Sequence, residues 1–345
     1  MSFKAWLSVI TFVLIGVVLY FSRHELILAW ELLGEVNIWI LLLLIPAQIV
    51  AYLAVGQMVF SYLYKKRAMD PVKPFTLARL SLELNFVNHI LPSGGVSGFS
   101  YMNWRLGRFG VSPGRAAMAQ VVRYAMGGIA FLVLLLVSVL AVTVDGELNR
   151  WIILVSTTLV GIMVGGMFGG IFLVSSRSRM ERFARWSSRV INKFVKRVTF
   201  GRRSRVVSSA RIENAFVEMH DDYIELRRDR RVLKEPLIWA FVFTIFDVML
   251  FVITFWALGH LVNPAPVLIA YGVATLAGFI VITPGGAGAY EAIMVAFLAV
   301  AGISQGVAIA GILLTRAIVL VTTIGLGYIF YQKALSGKPD GKAPL

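Results

Sequence analysis

The sequence predicts an all-α, polytopic membrane protein, built as an inverted-topology repeat with two Pro/Gly-broken, re-entrant hairpins. Three observations predict this fold class. The 345 residues are 58% hydrophobic and only 15% charged, with a mean hydropathy of +0.80, whereas soluble domains carry about 25% charged residues. Long apolar runs recur at lengths that suit a bilayer. A proline–glycine motif occurs twice, each time inside an apolar stretch.

The composition also limits which partners and which binding or catalytic sites the protein can have. The chain has no cysteine, which rules out disulfides, thiolate zinc sites, iron–sulfur clusters and cysteine nucleophiles. The formal charge of +15 could indicate nucleic acid, but Lys and Arg on the cytoplasmic side, beside anionic lipid, explain it better. We therefore expect membrane phospholipid and not nucleic acid as the partner, with no metal and no cofactor.

Eight apolar segments follow in order along the chain. The continuous ones cover residues 6–21, 38–64, 116–142, 151–174, 237–258 and 307–331, and the interrupted ones cover 75–104 and 267–301. A cleaved signal peptide is the alternative for the first segment, because Lys4 precedes it. No small-x-small cleavage site follows that segment, so we expect a membrane span there.

Positive charge sets the orientation of these segments. Lys and Arg concentrate at residues 65–79, 105–115, 175–236 and 333–342, whereas connections 23–36, 145–150 and 260–266 hold at most one each. One topology satisfies this pattern: a multi-pass protein of the cell membrane with both termini in the cytoplasm. In it, the first interrupted stretch enters from the cytoplasm and the second from outside.

The same topology divides the chain into four parts. They are an N-terminal membrane half with the first repeat (1–174), a basic amphipathic cytoplasmic segment (175–235), a C-terminal membrane half with the second repeat (236–333) and a cytoplasmic tail (334–345). Apolar residues at helical spacing, flanked by Arg and Lys, predict a helix on an anionic lipid surface at residues 180–198. The alternative is a solvated loop that only sets the topology.

The internal repeat is the most informative feature of the sequence. The hairpin-break residues are Pro92, Gly94, Gly95 and Gly98 in the first copy and Pro284, Gly285, Gly286 and Gly288 in the second. Eighteen residues after each proline comes a second motif, at Gly110 and Gly302, and Arg123 and Arg316 follow 13 and 14 residues later. One P-x-G-G is a weak signal because turns often contain it, but two motifs at equal separation are much harder to obtain by chance.

The predicted topology gives the two copies opposite orientations, which is a common plan of transporters. In that plan the interrupted segments meet near the bilayer midplane and form the substrate site. A broken backbone persists in hydrocarbon only when it is buried in protein or lines a polar cavity. Each helix that follows a break also presents N–H groups and a positive dipole end to an anion. The alternative is a pair of simple helix–loop–helix hairpins.

Charged residues inside the predicted membrane segments give the candidate substrate-binding set. They are Glu83, Arg123, Asp247, Glu291 and Arg316. Each costs about 2.5–3.5 kcal/mol at a helix centre, so they must pair or face water or substrate. We expect the two arginines to attract a phosphate while the carboxylates balance them or hold a cationic headgroup. Asn88, His89 and Tyr290 lie beside the breaks and complete the set. The alternatives are structural ion pairs and, for His89, a core histidine.

The segment Thr283-Pro284-Gly285-Gly286-Ala287-Gly288-Ala289-Tyr290-Glu291, with its partner at 91–98, resembles a known family over residues 6–331. The family is the flippase-like transmembrane domain of lysylphosphatidylglycerol synthases, that of the multiple peptide resistance factor. The family's P-G-G-x-G-x-x-E motif ends on Glu291, and the first copy lacks this glutamate. The resemblance implies movement of an aminoacylated phospholipid between leaflets. The synthases also carry a soluble aminoacyltransferase domain, and we expect a stand-alone member without it.

These observations predict an integral membrane lipid transporter of the flippase type, not an enzyme, that translocates a phospholipid or lipid-linked anionic substrate. One alternative is an intramembrane transferase acting on a lipid-linked substrate, with Glu291 or His89 as base or nucleophile. No P-loop lysine accompanies them. Another alternative is a regulatory membrane partner that docks through the basic segment. The lipid, the direction, the energy source and the oligomeric state stay open.

Overall fold

The computed structural model describes residues 13–18, 20, 23–91, 96–144, 150–198, 209–280 and 288–335. Across these ranges the chain forms helices and no strand, which confirms the predicted all-α fold class. The helices are α1 (Arg23–Leu32), α2 (Ile38–Leu41), α3 (Leu44–Lys65), α4 (Pro74–Ile90), α5 (Val96–Gly107), α6 (Pro113–Val144), α7 (Arg150–Val174), α8 (Arg177–Val198), α9 (Ser209–Arg228), α10 (Lys234–Ala257), α11 (Pro264–Ile280), α12 (Ala289–Val300) and α13 (Gln305–Leu335). A 3₁₀ turn at Arg230–Leu233 leads into α10.

Five helical stretches of the described chain are long and apolar enough to cross a bilayer, so this is a multi-pass membrane protein. They are Ile38–Lys65, Pro113–Thr143, Ile153–Val174, Arg230–Ala257 and Gln305–Leu335. Each coincides with a predicted segment. The first predicted segment, residues 6–21, lies largely outside the described residues. Helix α1 occupies a stretch expected to be a connection, because its leucines, glutamates and alanine are strong helix formers.

The helix ends that adjoin the basic connections lie together at one side of the molecule. Four contacts join them there. They are Lys65 Nζ to Glu235 Oε1 (2.9 Å), Gly114 N–H to Glu218 Oε2 (3.1 Å), His220 Nδ1 to the Val174 carbonyl (2.7 Å) and Arg108 Nη1 to the Ala334 carbonyl (2.6 Å). At the other side, the Asn37 N–H donates to the Ala257 carbonyl at 2.8 Å. The connections rich in Lys and Arg thus share one side, as cytoplasmic loops do.

The turns between helices repeat at a spacing of 192 residues. After α5 and after α12, Gly110 and Gly302 have φ values of +82° and +89°, a conformation that glycine adopts without steric cost. In both turns the next N–H donates to the carbonyl five residues earlier, at 3.2 and 3.0 Å, which is the Schellman arrangement. The turns after α3 and α10, at Arg67 and Gly259, form a second pair with this arrangement.

The described arms of the two predicted hairpins match in length. The arms α4 and α11 each contain 17 residues, and the arms α5 and α12 each contain 12. At 1.5 Å per residue the described parts of these arms are about 25 and 18 Å long. The tips, residues 92–95 and 281–287, lie outside the described residues. The predicted break positions there are Pro92, Gly94, Gly95, Pro284, Gly285 and Gly286.

Each half of the molecule packs its hairpin against a span of the other half. Helix α4 lies along α13, helix α11 lies along α6, and α3 makes an extensive contact with α10. Glycines permit the close approach, because a Cβ added at Gly327 of α13 would overlap Phe86 of α4. Likewise, a Cβ added at Gly272 of α11 would overlap Phe131 of α6. The two halves therefore interlock, and the same kind of pairing occurs twice.

The basic segment forms two helices, α8 and α9, that pack against each other. Phe183 of α8 lies against Phe216 of α9 with ring centroids 5.7 Å apart, and Met180 and Ala184 are buried. On the same helix Trp186 is 53% exposed. The apolar face predicted for residues 180–198 therefore packs partly against protein, and its contact with anionic lipid stays a prediction.

Candidate functional site

A cluster of charged and hydroxyl side chains lies within the membrane spans of the second half. The Arg316 guanidinium on α13 pairs with Glu291 on α12, with Nε 2.7 Å from Oε1, and lies 4.5 Å from the centroid of the Tyr290 ring. Asp247 on α10 accepts a hydrogen bond from the Tyr271 hydroxyl on α11 at 2.5 Å. Asp247 also interacts electrostatically with Arg316. We call these five residues the central cluster.

Each charged member of this cluster has a defined position along its helix. Asp247 lies near the middle of α10, and Arg316 lies about a third of the way along α13. Glu291 is the third residue of α12, and its Oε2 accepts the Gly288 N–H at 2.7 Å. A carboxylate in the first turn is stabilised by the helix dipole. Glu291 therefore caps its own helix while it fixes the guanidinium of Arg316.

Hydroxyl groups join the members of the central cluster to one another. The Thr275 side chain lies one turn after Tyr271 on α11 and interacts with the hydroxyls of both Tyr271 and Tyr290. Asp247, Tyr271, Thr275 and Tyr290 thus form a chain of neighbouring polar groups. This chain runs from the middle of α10 to the first turn of α12, beside the break in the second hairpin.

The first half of the molecule reaches the central cluster through α3. The Tyr52 hydroxyl accepts a hydrogen bond from Gln48 at 2.9 Å, and its oxygen lies 2.6 Å from the Thr323 hydroxyl of α13. Tyr52 also interacts electrostatically with Asp247. Polar side chains from both halves therefore face one another across the interface.

The two polar residues before the first break, Asn88 and His89, make different contacts. The His89 Nδ1 bonds to the Asn85 carbonyl at 2.8 Å, one turn back on α4, and the ring interacts electrostatically with Arg316. His89 therefore brings the end of α4 to the central cluster. The Asn88 Oδ1 instead accepts the Gly98 N–H at 3.0 Å, so Asn88 caps α5. Both hairpins thus satisfy part of a helix N-terminus with their own side chains.

Glu83 belongs to a separate ion cluster within the first half. Its carboxylate is fully buried, with Oε1 2.8 Å from Arg79 Nε and Oε2 2.9 Å from Arg105 Nε. The Tyr101 hydroxyl donates to Oε2 at 2.7 Å. Sequence reasoning had assigned both arginines to basic clusters of the surface. These contacts are those of a structural ion cluster, and a contact between Glu83 and substrate stays a prediction.

Arg123 lies apart from the central cluster. It is 8% exposed on α6, with its guanidinium 4.4 Å from the Tyr124 ring centroid, and the ion pairs of the described residues do not include it. Phe131, whose ring centroid lies 6.4 Å from that of Tyr271, follows it by eight residues, or about 12 Å of helix. The structure therefore brings Arg316, and not Arg123, beside Asp247. A joint role of the two arginines stays a prediction.

Sequence reasoning missed the uncharged members of this polar interface. They are Gln48, Tyr52, Tyr271, Thr275 and Thr323. The signal in the sequence is a polar pair at i, i+4 spacing within an apolar helix, which places both side chains on one face. Gln48 with Tyr52 and Tyr271 with Thr275 have this spacing.

The central cluster suits a polar or charged ligand that has entered the membrane interior. It offers a guanidinium, which binds phosphate, beside carboxylates that attract cations. Within the described residues no three His, Asp or Glu side chains lie together as potential metal ligands. Glu291 and His89, the candidates for acid–base chemistry, both bond to backbone groups of their own helices.

Comparison with known proteins identifies relatives of this chain. The family described as "Lysylphosphatidylglycerol synthase TM region" matches residues 6–327. A "UPF0104 membrane protein" of Methanothermobacter thermautotrophicus is 24% identical over 248 residues, which cover 71% of this chain and 72% of that protein. No solved structure matches the chain. The family match spans both hairpins and the central cluster.

Proposed function

The chain belongs to the family of the lysylphosphatidylglycerol synthase transmembrane region, and from that premise we propose that it moves a lipid between the two leaflets of the membrane. The substrate is a phospholipid or a lipid-linked anionic molecule. Its headgroup crosses at the interface between the two halves while its acyl chains stay in the bilayer. We assign the protein to the cell membrane with both termini in the cytoplasm, because its basic connections share one side.

The central cluster is the observation that carries this proposal. Charged side chains within membrane spans are costly, and they typically mark the pathway of a substrate or an ion. Arg316 is held by Glu291 and by the Tyr290 ring, so its guanidinium is oriented before a ligand arrives, and a lipid phosphate is the matching anion. This arrangement lets a headgroup exchange its hydration for protein contacts.

The repeated architecture supports a transport mechanism by alternating access. The described arms of the hairpins match in length and the turns repeat at one spacing, as two copies of a single unit would. In transporters with inverted repeats, one repeat rocks against the other around a central site. The contacts of α4 with α13 and of α11 with α6 are the surfaces that would slide. Transport would then be passive or coupled to an ion, because the sequence has no nucleotide-binding motif.

A leaflet assay on purified protein in phospholipid vesicles tests this function. Fluorescent phospholipids are quenched from outside, and the fraction that becomes accessible with time gives the translocation rate. The wild-type protein should accelerate translocation over protein-free vesicles. Replacing Arg316→Ala should slow it by at least about tenfold, since losing one charge-assisted contact costs about 1.5–3 kcal/mol. Arg177→Ala is the matched control, because Arg177 pairs with Glu181 on the exposed part of α8.

Two outcomes would contradict the proposal. One is a wild-type protein that leaves the translocation rate at the protein-free value for every phospholipid class tested. The other is a wild-type rate in both Arg316→Ala and Arg123→Ala, which would remove the assigned role of the buried arginines. Native mass spectrometry of lipid that copurifies with the protein would identify the headgroup, which the geometry leaves open.

A further inference from the structure

The charges of the central cluster do not balance within the described residues. Glu291 and Asp247 supply two carboxylates, and Arg316 supplies one guanidinium. Arg316 makes its ion pair with Glu291, whereas the direct partner of Asp247 is the neutral hydroxyl of Tyr271. The hairpin tips at 92–95 and 281–287 contain no charged residue, so they add no counter-charge.

The helices around α10 bring no second cation to Asp247 among the described residues. The titratable and charged groups that face it are Tyr52 from α3, Tyr271 from α11, Arg316 from α13 and, further away, His89 from α4 with Tyr290 and Glu291 from α12. His89 interacts with Arg316, whose positive charge opposes a second one beside it. On α6, Arg123 lies about 12 Å along the helix from the level of Tyr271. A carboxylate in this setting requires a proton or a cationic ligand.

We propose that Asp247 carries a coupling proton, so that lipid translocation is driven by the proton gradient. This inference rests on the proposed function. An O–H bond forms on the Asp247 carboxyl when a proton arrives from water on one side, and that bond breaks when the proton leaves to water on the other side. Because Oδ2 accepts the Tyr271 hydroxyl, Oδ1 is the oxygen assigned to the proton.

Two features favour a proton over a headgroup amine as the counter-charge of Asp247. The first is the series of hydroxyl groups that leads from Asp247 through Tyr271 and Thr275 to Tyr290, since a hydroxyl group can both donate and accept a hydrogen bond. The second is the direct partner of Asp247. The Tyr271 hydroxyl can donate to the carboxylate and can also accept from the protonated carboxyl, so it accommodates both protonation states.

The experiment uses the full chain in vesicles with a pH indicator in the lumen and a fluorescent phospholipid in the membrane. A pH difference of one unit stores about 1.4 kcal/mol per proton, which corresponds to a tenfold effect. We expect wild-type translocation to respond to this gradient by up to that factor and to be accompanied by proton flux. In Asp247→Asn the translocation rate should be the same with and without the gradient and should carry no proton flux, and Tyr271→Phe should weaken the response.

The control and the remaining outcomes separate this inference from the proposed function. Asp229→Asn is the matched control, because Asp229 lies outside the spans and asparagine also caps a helix turn. Translocation without proton flux, or a gradient response that persists in Asp247→Asn, overturns the proton site and leaves lipid transport standing. Loss of transport in Asp247→Asn for cationic headgroups alone also overturns it, since Asp247 then binds the amine. A wild-type protein that translocates no lipid refutes both. If Asp247→Asn does not fold, the Tyr271→Phe response decides.

Discussion

Glu83 shows how a single buried residue can hold a hairpin together. Its carboxylate is fully buried between two arginines and one tyrosine, and Arg105 beside it is only 1% exposed. Removing one partner of a buried ion pair strands the other charge and costs about 3–5 kcal/mol. We therefore expect Glu83→Ala to lower the free energy of unfolding by this amount, measured by denaturation of the purified protein in detergent with sodium dodecyl sulfate.

The matched control for this prediction is an ion pair with the same i, i+4 spacing on the surface. Glu181 pairs with Arg177 at 3.3 Å, with side chains 36% and 62% exposed. Exposed pairs contribute about 0–1 kcal/mol, so Glu181→Ala should leave the unfolding midpoint nearly unchanged. Equal stability losses in the two variants would show that Glu83 does not form the buried ion cluster described above.

The charged residues of the spans could be predicted from the sequence, but their partners could not. Insertion cost alone requires Glu83 and Glu291 to be paired or hydrated. The partner of each carboxylate depends on which helix face packs against it. Arg105 lies near the end of α5, beside a basic connection, so the sequence indicates a cytoplasmic charge. In the structure Arg105 instead forms an ion pair with Glu83 of α4, the other arm of the same hairpin. Arg123 and Arg316 follow equivalent turns, but only Arg316 reaches the central cluster.

At the scale of helices, the contact between α13 and α4 offers a sharp test of packing between the two halves. Gly327 lies against Phe86, so that a Cβ there would overlap the ring. We expect Gly327→Ala to destabilise the protein by about 1–3 kcal/mol, the usual cost of overpacking, as a lower midpoint in the same unfolding assay.

Gly325 on the same helix provides the control for this packing prediction. A Cβ added at Gly325 would meet nothing within 4 Å, so Gly325→Ala should be neutral or slightly stabilising, because alanine has the better helix propensity. If Gly327→Ala behaves like Gly325→Ala, then α4 and α13 do not approach each other as closely as the structure indicates.

The boundaries of the spans were predictable because apolar length is a strong signal. The packing of α9 was not. Its contacts join distant parts of the chain: the Tyr62 hydroxyl donates to Asp222 at 2.6 Å, and the Gly114 N–H donates to Glu218. Acidic side chains of a polar segment find donors at the ends of α3 and α6, and no local pattern encodes that match. The prediction of a membrane-surface helix therefore could not anticipate how much of this segment packs on protein.

At the scale of the whole molecule, the charge pattern predicted which helix ends lie together, because positive charge is retained on one side of the membrane. What remained beyond the sequence is the interface between the halves, where Tyr52 and Thr323 meet from helices 271 residues apart. Such a contact depends on the rotation of both helices about their axes.

The inverted orientation of the two copies is open to a direct test, because the chain contains no cysteine and any introduced thiol is the only one. Ser112 and Ser304 occupy equivalent positions, two residues after Gly110 and Gly302, and their carbonyls accept equivalent hydrogen bonds at 2.9 Å. In an inverted repeat these positions lie on opposite sides of the membrane. A membrane-impermeant maleimide should therefore label Ser112→Cys in inside-out vesicles and Ser304→Cys in right-side-out vesicles. Labelling of both variants from one side would refute the inverted repeat, and with it the proposal that the halves rock around a central site.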